Sequence, residues 1–116
     1  FGGVFLQDKL HEYVHVPQGI NEHPYMNVCL AAIDSARIPN IVHVDGSCRV
    51  QTVRRDEGGI ADILVAFEKN TGMSALLNTS FNRRGEPLVE SLEQALAVFT
   101  EQPIDCLLLG NVLLSK

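Results

Sequence analysis

The side chains best suited to chemistry crowd into Asn78-Thr79-Ser80-Phe81-Asn82-Arg83-Arg84-Gly85-Glu86-Pro87, directly after the apolar run Ala75-Leu76-Leu77. Two amides and two hydroxyls supply hydrogen-bond donors and acceptors. Arg83 and Arg84 supply fixed positive charge, and Gly85 permits close backbone approach. This set suits an anion, a carboxylate or a phosphate. A polar strand-to-turn connection carrying two solvated arginines explains the same composition equally well, so something outside the loop has to decide. A second stretch, Arg49-Val50-Gln51-Thr52-Val53, has a period of two that sets Arg49, Gln51 and Val53 on one face of a strand.

Two other patterns offer rival chemistries. His11-Glu12-Tyr13-Val14-His15 spells H-E-x-x-H, the zinc-hydrolase pattern of two His one helical turn apart beside a general-base Glu. Its context argues against a long helix, because Val14 and Val16 are β-branched and Pro17 and Gly19 follow at once. No third ligand stands out, and solvated histidines are the preferred reading. His43 and Asp45 are spaced for an acid-base pair, but a structural His beside a turn-capping Asp is preferred. Cys29, Cys48 and Cys106 are odd in number and widely spaced, with no C-x-x-C, which points to buried reduced thiols rather than a disulfide framework or zinc knuckle.

The elements that must position these residues follow from periodicity. Val4 to Leu6 reads as a short strand and Gln7 to Val14 as a short helix, both weakly signalled. Tyr25 to Ile33 reads as a buried strand, and Ile41 to Asp45 and Arg49 to Val53 as two strands about a tight turn at Gly46. Ile60, Ile63, Leu64 and Phe67 match the inward face of a helix over 59–70, stopped by Asn70-Thr71-Gly72. Ser74 to Leu77 is a strand feeding the polar loop. Ser91-Leu92-Glu93-Gln94 is a capping box opening a helix with Leu92, Ala95, Leu96 and Phe99 inward. Ile104 to Leu109 and Val112 to Leu114 are strands about Gly110-Asn111. The pattern is α/β or α+β, with a twisted mixed sheet and helices.

With 116 residues, 46% hydrophobic and 20% charged, the chain is expected to form one domain over 1–116. A net charge of −5 excludes a nonspecific nucleic-acid binder, so any phosphate site must be local. No apolar stretch approaches a membrane span and no leader is recognised, which leaves a cytoplasmic expectation. The start at Phe1 raises the expectation of a piece of a longer protein.

His43-Val44-Asp45-Gly46-Ser47-Cys48-Arg49-Val50-Gln51-Thr52-Val53, then Leu76 to Asn82, Arg84-Gly85-Glu86-Pro87 and Asp105 to Gly110, in that order, resemble the C-terminal region of nodulation-type O-carbamoyltransferases. The resemblance runs from about Pro24 to Leu114, and residues 1–23 match poorly. It implies a YrdC-like domain, incomplete here, in which carbamoyl phosphate and ATP, with Mg2+, form carbamoyl-adenylate. A separate metal-containing N-terminal domain of the same protein would then carbamoylate an acceptor hydroxyl. No partner membrane or nucleic acid is implied, and a homodimer is left open.

YrdC-like sites use a K-x-R pair and an S-x-N pair. Ser80-Phe81-Asn82 is similar to the S-x-N, whereas Lys9, Lys69 and Lys116 all lack an Arg two residues on. The family has Thr and Ala where Ser47 and Cys48 stand, and a thiol beside Arg49 raises the prospect of reactivity. The expected catalytic residues are Arg49, Ser80, Asn82 and Arg84. Substrate would also meet Asn78 and Thr79, the latter turned toward the strand's other face. Arg83 is expected to be solvated, Glu86 to pair with Arg84, and no metal to be held by these residues. The alternatives are a non-catalytic nucleotide- or anion-binding module and, less favoured, a zinc hydrolase using His11 and His15.

Overall fold

Gly2–Leu6, buried at every residue, forms strand β1 in the interior of a four-stranded sheet. The structure, a computed structural model, describes residues 1–116 and divides into two compact units, Phe1–Thr79 and Ser80–Lys116. In the first unit β2 (Val28–Ala31), β3 (Ser47–Val53) and β4 (Ala75–Asn78) complete the sheet in the order β2-β3-β1-β4. β1 runs parallel to β3 and antiparallel to β4, and β2 antiparallel to β3, giving a mixed sheet.

Alternation along β1 divides the core. Phe5 faces Leu10, Tyr13, Ile41, Cys48 and Val50 on one side of the sheet. Val4 and Leu6 meet Val53, Ala61 and Leu64 on the other, beneath helix α1 (Ile60–Thr71). The Tyr13 hydroxyl accepts from the Ser74 N–H at 2.8 Å, tying the sheet's first face to the start of β4. Helix α1 ends on Gly72, whose φ of +77° is the left-handed cap that glycine adopts without a Cβ penalty.

Several sequence expectations shift. Gln7–Glu12 is a 3-10 helix capped by Tyr13, still in the right-handed helical region at φ −112° and ψ −34°, after which Val14 bridges Ala32. Within 25–33 only Val28–Ala31 is strand, with Leu30 buried and Cys29 and Ala31 exposed, as an edge strand covered on one face requires. Residues 41–45 are not a strand. Ile41 folds back on Ile38 and both insert into the core, so the β-branched side chains serve packing rather than a ladder. The Ser47 N–H and hydroxyl both donate to Asp45, which caps the turn and has its carboxyl held below the usual range by those bonds. Helix α1 seats on Ala61 and Leu64, leaving Ile60 42% and Ile63 46% exposed. Glu68, drawn to Arg55 and Ser74, fixes that rotation.

The second unit packs helix α2 (Leu92–Glu101) on the hairpin β5 (Cys106–Leu109) and β6 (Val112–Ser115). The capping box forms: Ser91 Oγ accepts from the Gln94 N–H, and Gln94 Oε1 accepts from the Ser91 N–H. Ala95, Phe99 and Leu107 form the core with Phe81, Val89, Ile104 and Leu114 around them. Val98 is buried where Leu92 and Leu96 were expected, and both leucines lie exposed. Gly110, φ +59°, opens the two-residue loop, as hairpins with glycine in the first loop position require.

Candidate functional site

The expected residues fall on two structural supports. In the first unit, the register places Arg49, Gln51 and Asn78 on one face of the sheet, the face that α1 covers farther along at Val4 and Leu6. Arg49 is exposed and opposite Cys29, while Gln51 and Asn78 are half-buried. Asn78 Nδ2 donates to Gln51 Oε1 at 2.8 Å, and Gln51 Nε2 donates to the Pro24 carbonyl at 3.2 Å. Asn78 stands opposite Gly2 and Gln51 opposite Val4, so the amide pair meets diagonally across β1. A Cβ on Gly2 would lie 2.6 Å from Met26 Sδ, so the Met26 thioether fills the space that a side chain there would take. Met26 has φ +53°, a left-handed conformation unusual for a non-glycine residue. Thr79 follows the end of β4 and is exposed.

In the second unit, Ser80 and Arg84 are exposed and Asn82 is half-buried. Asn82 organises its own loop: Nδ2 donates to the Arg83 carbonyl at 3.0 Å and the Glu86 carbonyl at 2.8 Å. Only its Oδ1 remains for a ligand. Gly85, φ +82°, supplies the left-handed turn inside that loop.

The arginines separate by their partners. Arg37 pairs with Glu12 and lies over the Tyr13 ring, Arg54 pairs with Asp56 and Glu57, and Arg55 with Asp8 and Glu68. Arg83, expected to be solvated, is instead half-buried between Glu101 at 2.7 Å and Glu86 at 3.3 Å, which push its pKa up. Glu86 thus pairs with Arg83 rather than Arg84. Arg49 and Arg84 have no carboxylate within ion-pair distance. They are the two of the chain's six arginines free to meet an outside anion.

The rival chemistries find weaker support. His11 and His15 are exposed, and the helical turn their pattern needs ends at Glu12, which pairs with Lys9 and Arg37. No group of three His, Cys, Asp or Glu side chains is placed to hold a metal ion. His43 is exposed and its side chain makes no hydrogen bond to Asp45. Cys48, fully buried, has its thiol pushed up to about 11 by burial and is not the reactive group its sequence neighbour Arg49 suggested. Cys29 and Cys106, expected to be buried, are exposed.

Gln51 and Met26 were missed as site residues. The period of two already set Gln51 beside Arg49, but nothing in the sequence brought Asn78 to it. That contact depends on β1, a glycine-led strand with a weak signal, lying between β3 and β4.

Comparison with known proteins gives a consistent result. The chain is 35% identical over 119 residues to Nodulation protein NolNO of Sinorhizobium fredii, covering 100% of this chain and 18% of that protein. It is 35% identical over 114 residues to Nodulation protein NolO of Bradyrhizobium diazoefficiens, covering 96% of this chain and 21% of that protein. An uncharacterized protein of Methanocaldococcus jannaschii is 32% identical over 119 residues, covering 100% of this chain and 23% of that protein. The chain therefore spans less than a quarter of the length of each of these relatives. The profile of the family described as Carbamoyltransferase C-terminus matches residues 1–116, including the first 23 that the motifs left poorly matched. By that end-to-end match, the chain belongs to the carbamoyltransferase C-terminus family.

Proposed function

We propose that this chain serves an ATP-dependent O-carbamoyltransferase of the cytoplasm as its carbamoyl-activating C-terminal part. It would bind carbamoyl phosphate and ATP and form carbamoyl-adenylate, which a metal-containing N-terminal domain of the same protein passes to an acceptor hydroxyl. The observation that carries this reading is the separation of the arginines. Arg49 and Arg84, the two in the family motifs, are the two without an internal carboxylate, in a family of carbamoyltransferases.

Nucleotidyl transfer asks a protein mainly for positioning and charge neutralisation. Arg49 and Arg84 are suited to phosphate oxygens by the planar fork of their guanidinium groups. In the second unit the Ser80 hydroxyl can donate to phosphate oxygens and the free Asn82 Oδ1 can accept from an N–H, and in the first unit the exposed Thr79 hydroxyl and the free Asn78 Oδ1 offer the same two kinds of contact. Atoms balance when water opens carbamoyl phosphate to phosphate and carbamate, and a carbamate oxygen displaces pyrophosphate from the α-phosphorus of ATP. Mg2+ would come with the nucleotide phosphates. The chain gathers no donor set for it, so none of its residues is assigned to the ion. The S-x-N half of the YrdC-like pattern is in this chain, and the K-x-R half is proposed to lie elsewhere in the full-length protein.

The test is turnover in the full-length enzyme. Arg49→Ala and Arg84→Ala are each expected to lower carbamoyl-phosphate-dependent kcat/KM at least ~10-fold, or about 1.4 kcal/mol of transition-state stabilisation. Wild-type turnover in both variants would refute the assignment. Binding of ATP and carbamoyl phosphate with no product would favour a non-catalytic module.

A further inference from the structure

The amide pair on the sheet face has a fixed polarity. A backbone carbonyl can only accept, so the contact with Pro24 commits the Gln51 NH2 to that side and turns its Oε1 toward Asn78. An oxygen facing Asn78 in turn commits the Asn78 NH2. The Asn78 Oδ1 makes no hydrogen bond within the chain, so it is left as an acceptor on the face that also carries the unpaired Arg49. Arg49 and Asn78 flank Gly2 on adjacent strands, with Cα atoms about 10 Å apart from two strand spacings. Between them lies the apolar Met26 thioether, which offers only a weak acceptor.

We infer that Gln51 is a positioning residue that holds Asn78 with its carbonyl oxygen outward, so that this face selects an acyl phosphate bearing an N–H donor, a carbamoyl rather than an acetyl group. The inference rests on the function proposed above and adds the residue that sets donor choice. Its logic is that of a site built to hydrogen-bond an N–H: the analogue lacking that donor leaves a polar atom unpaired and is rejected. Without Gln51 the Asn78 amide is free to rotate and present its NH2, and the preference disappears.

The experiment uses the full-length enzyme, measuring KM for carbamoyl phosphate and Ki for acetyl phosphate as a competing acyl phosphate. Wild type is expected to favour carbamoyl phosphate by at least about tenfold. Gln51→Leu should abolish that preference by raising KM for carbamoyl phosphate while KM for ATP stays unchanged, a separation that general unfolding does not produce. Gln51→Glu gives up the donor to the Pro24 carbonyl but still offers the Asn78 NH2 an acceptor oxygen. It should weaken both acyl phosphates alike through its charge and retain the preference. A wild-type preference in Gln51→Leu, or its loss in Gln51→Glu as complete as in Gln51→Leu, would overturn the inference. Arg49→Ala separates the two levels. Reduced turnover there with an unchanged preference in Gln51→Leu overturns the role of Gln51 alone. A wild-type enzyme that does not consume carbamoyl phosphate overturns the proposed function and this inference with it.

Discussion

Arg83 and Arg84 are neighbours in sequence with opposite uses. Arg83 joins Glu86 in the loop to Glu101 at the end of α2, whereas Arg84 meets no carboxylate. Arg83→Ala should therefore lower the denaturation midpoint modestly, as loss of a partly exposed ion pair does. Arg84→Ala should change stability by less than about 0.5 kcal/mol, as for a surface residue without partners, while lowering turnover. Equal stability losses in the two variants would contradict this division. The sequence favoured Arg84 over Arg83 only through the family motif. A glutamate three residues on was visible, but Glu101, the nearer partner, is reached only once α2 folds beside the loop. At Arg49 the strand period was enough, because alternation alone fixes which residues share its face. Asn82 shows the reverse: its loop-closing bonds to two carbonyls could not be read from an S-x-N pattern.

Among the elements, β1 carries the most structure on the least sequence signal. Gly2 and Gly3 depress strand propensity, yet the strand is interior and buried, because close packing rather than propensity decides its place. A Cβ on Gly3 would sit 2.5 Å from the Phe5 ring and 2.8 Å from Ile41 Cγ2. Gly3→Ala should thus destabilise the first unit by about 1–3 kcal/mol, read as a lower denaturant midpoint, as overpacked cores do. Unchanged stability would mean that the core gives way there. The helices were legible in extent, since capping box and glycine stop are local signals, but their buried faces were not. Ile60, Ile63 and Leu92 satisfy the helical period and still point outward, because tertiary contacts at Ala61, Glu68 and Val98 set the rotation.

At the scale of the molecule, the two units and the family match are complementary: the family profile covers both, and the motif crosses from Asn78 to Ser80 where they join in the chain. Glu68 ties α1 to Arg55 and Ser74, and these hydrogen bonds hold its carboxyl below the ordinary range. A carboxylate with a lowered folded pKa contributes stability above its unfolded value near 4.3, and that contribution is lost as pH falls through the folded pKa. The stability gap between wild type and Glu68→Gln should be full above about pH 5 and close below it. A gap that persists in acid would remove Glu68 from this role. Thiol labelling reports on the fold as a whole: Cys29 and Cys106 should react in the native protein, and Cys48 only after the first unit opens.

The most direct test of carbamoyl activation is to incubate the full-length protein with ATP, Mg2+ and carbamoyl phosphate without an acceptor, and to identify the nucleotide product by mass spectrometry. Carbamoyl activation by this chain predicts carbamoyl-adenylate, with matching pyrophosphate release that depends on carbamoyl phosphate and falls at least ~10-fold in Arg49→Ala. Intact ATP and no adenylate in the wild-type protein, under conditions where an acceptor hydroxyl is carbamoylated, would contradict it.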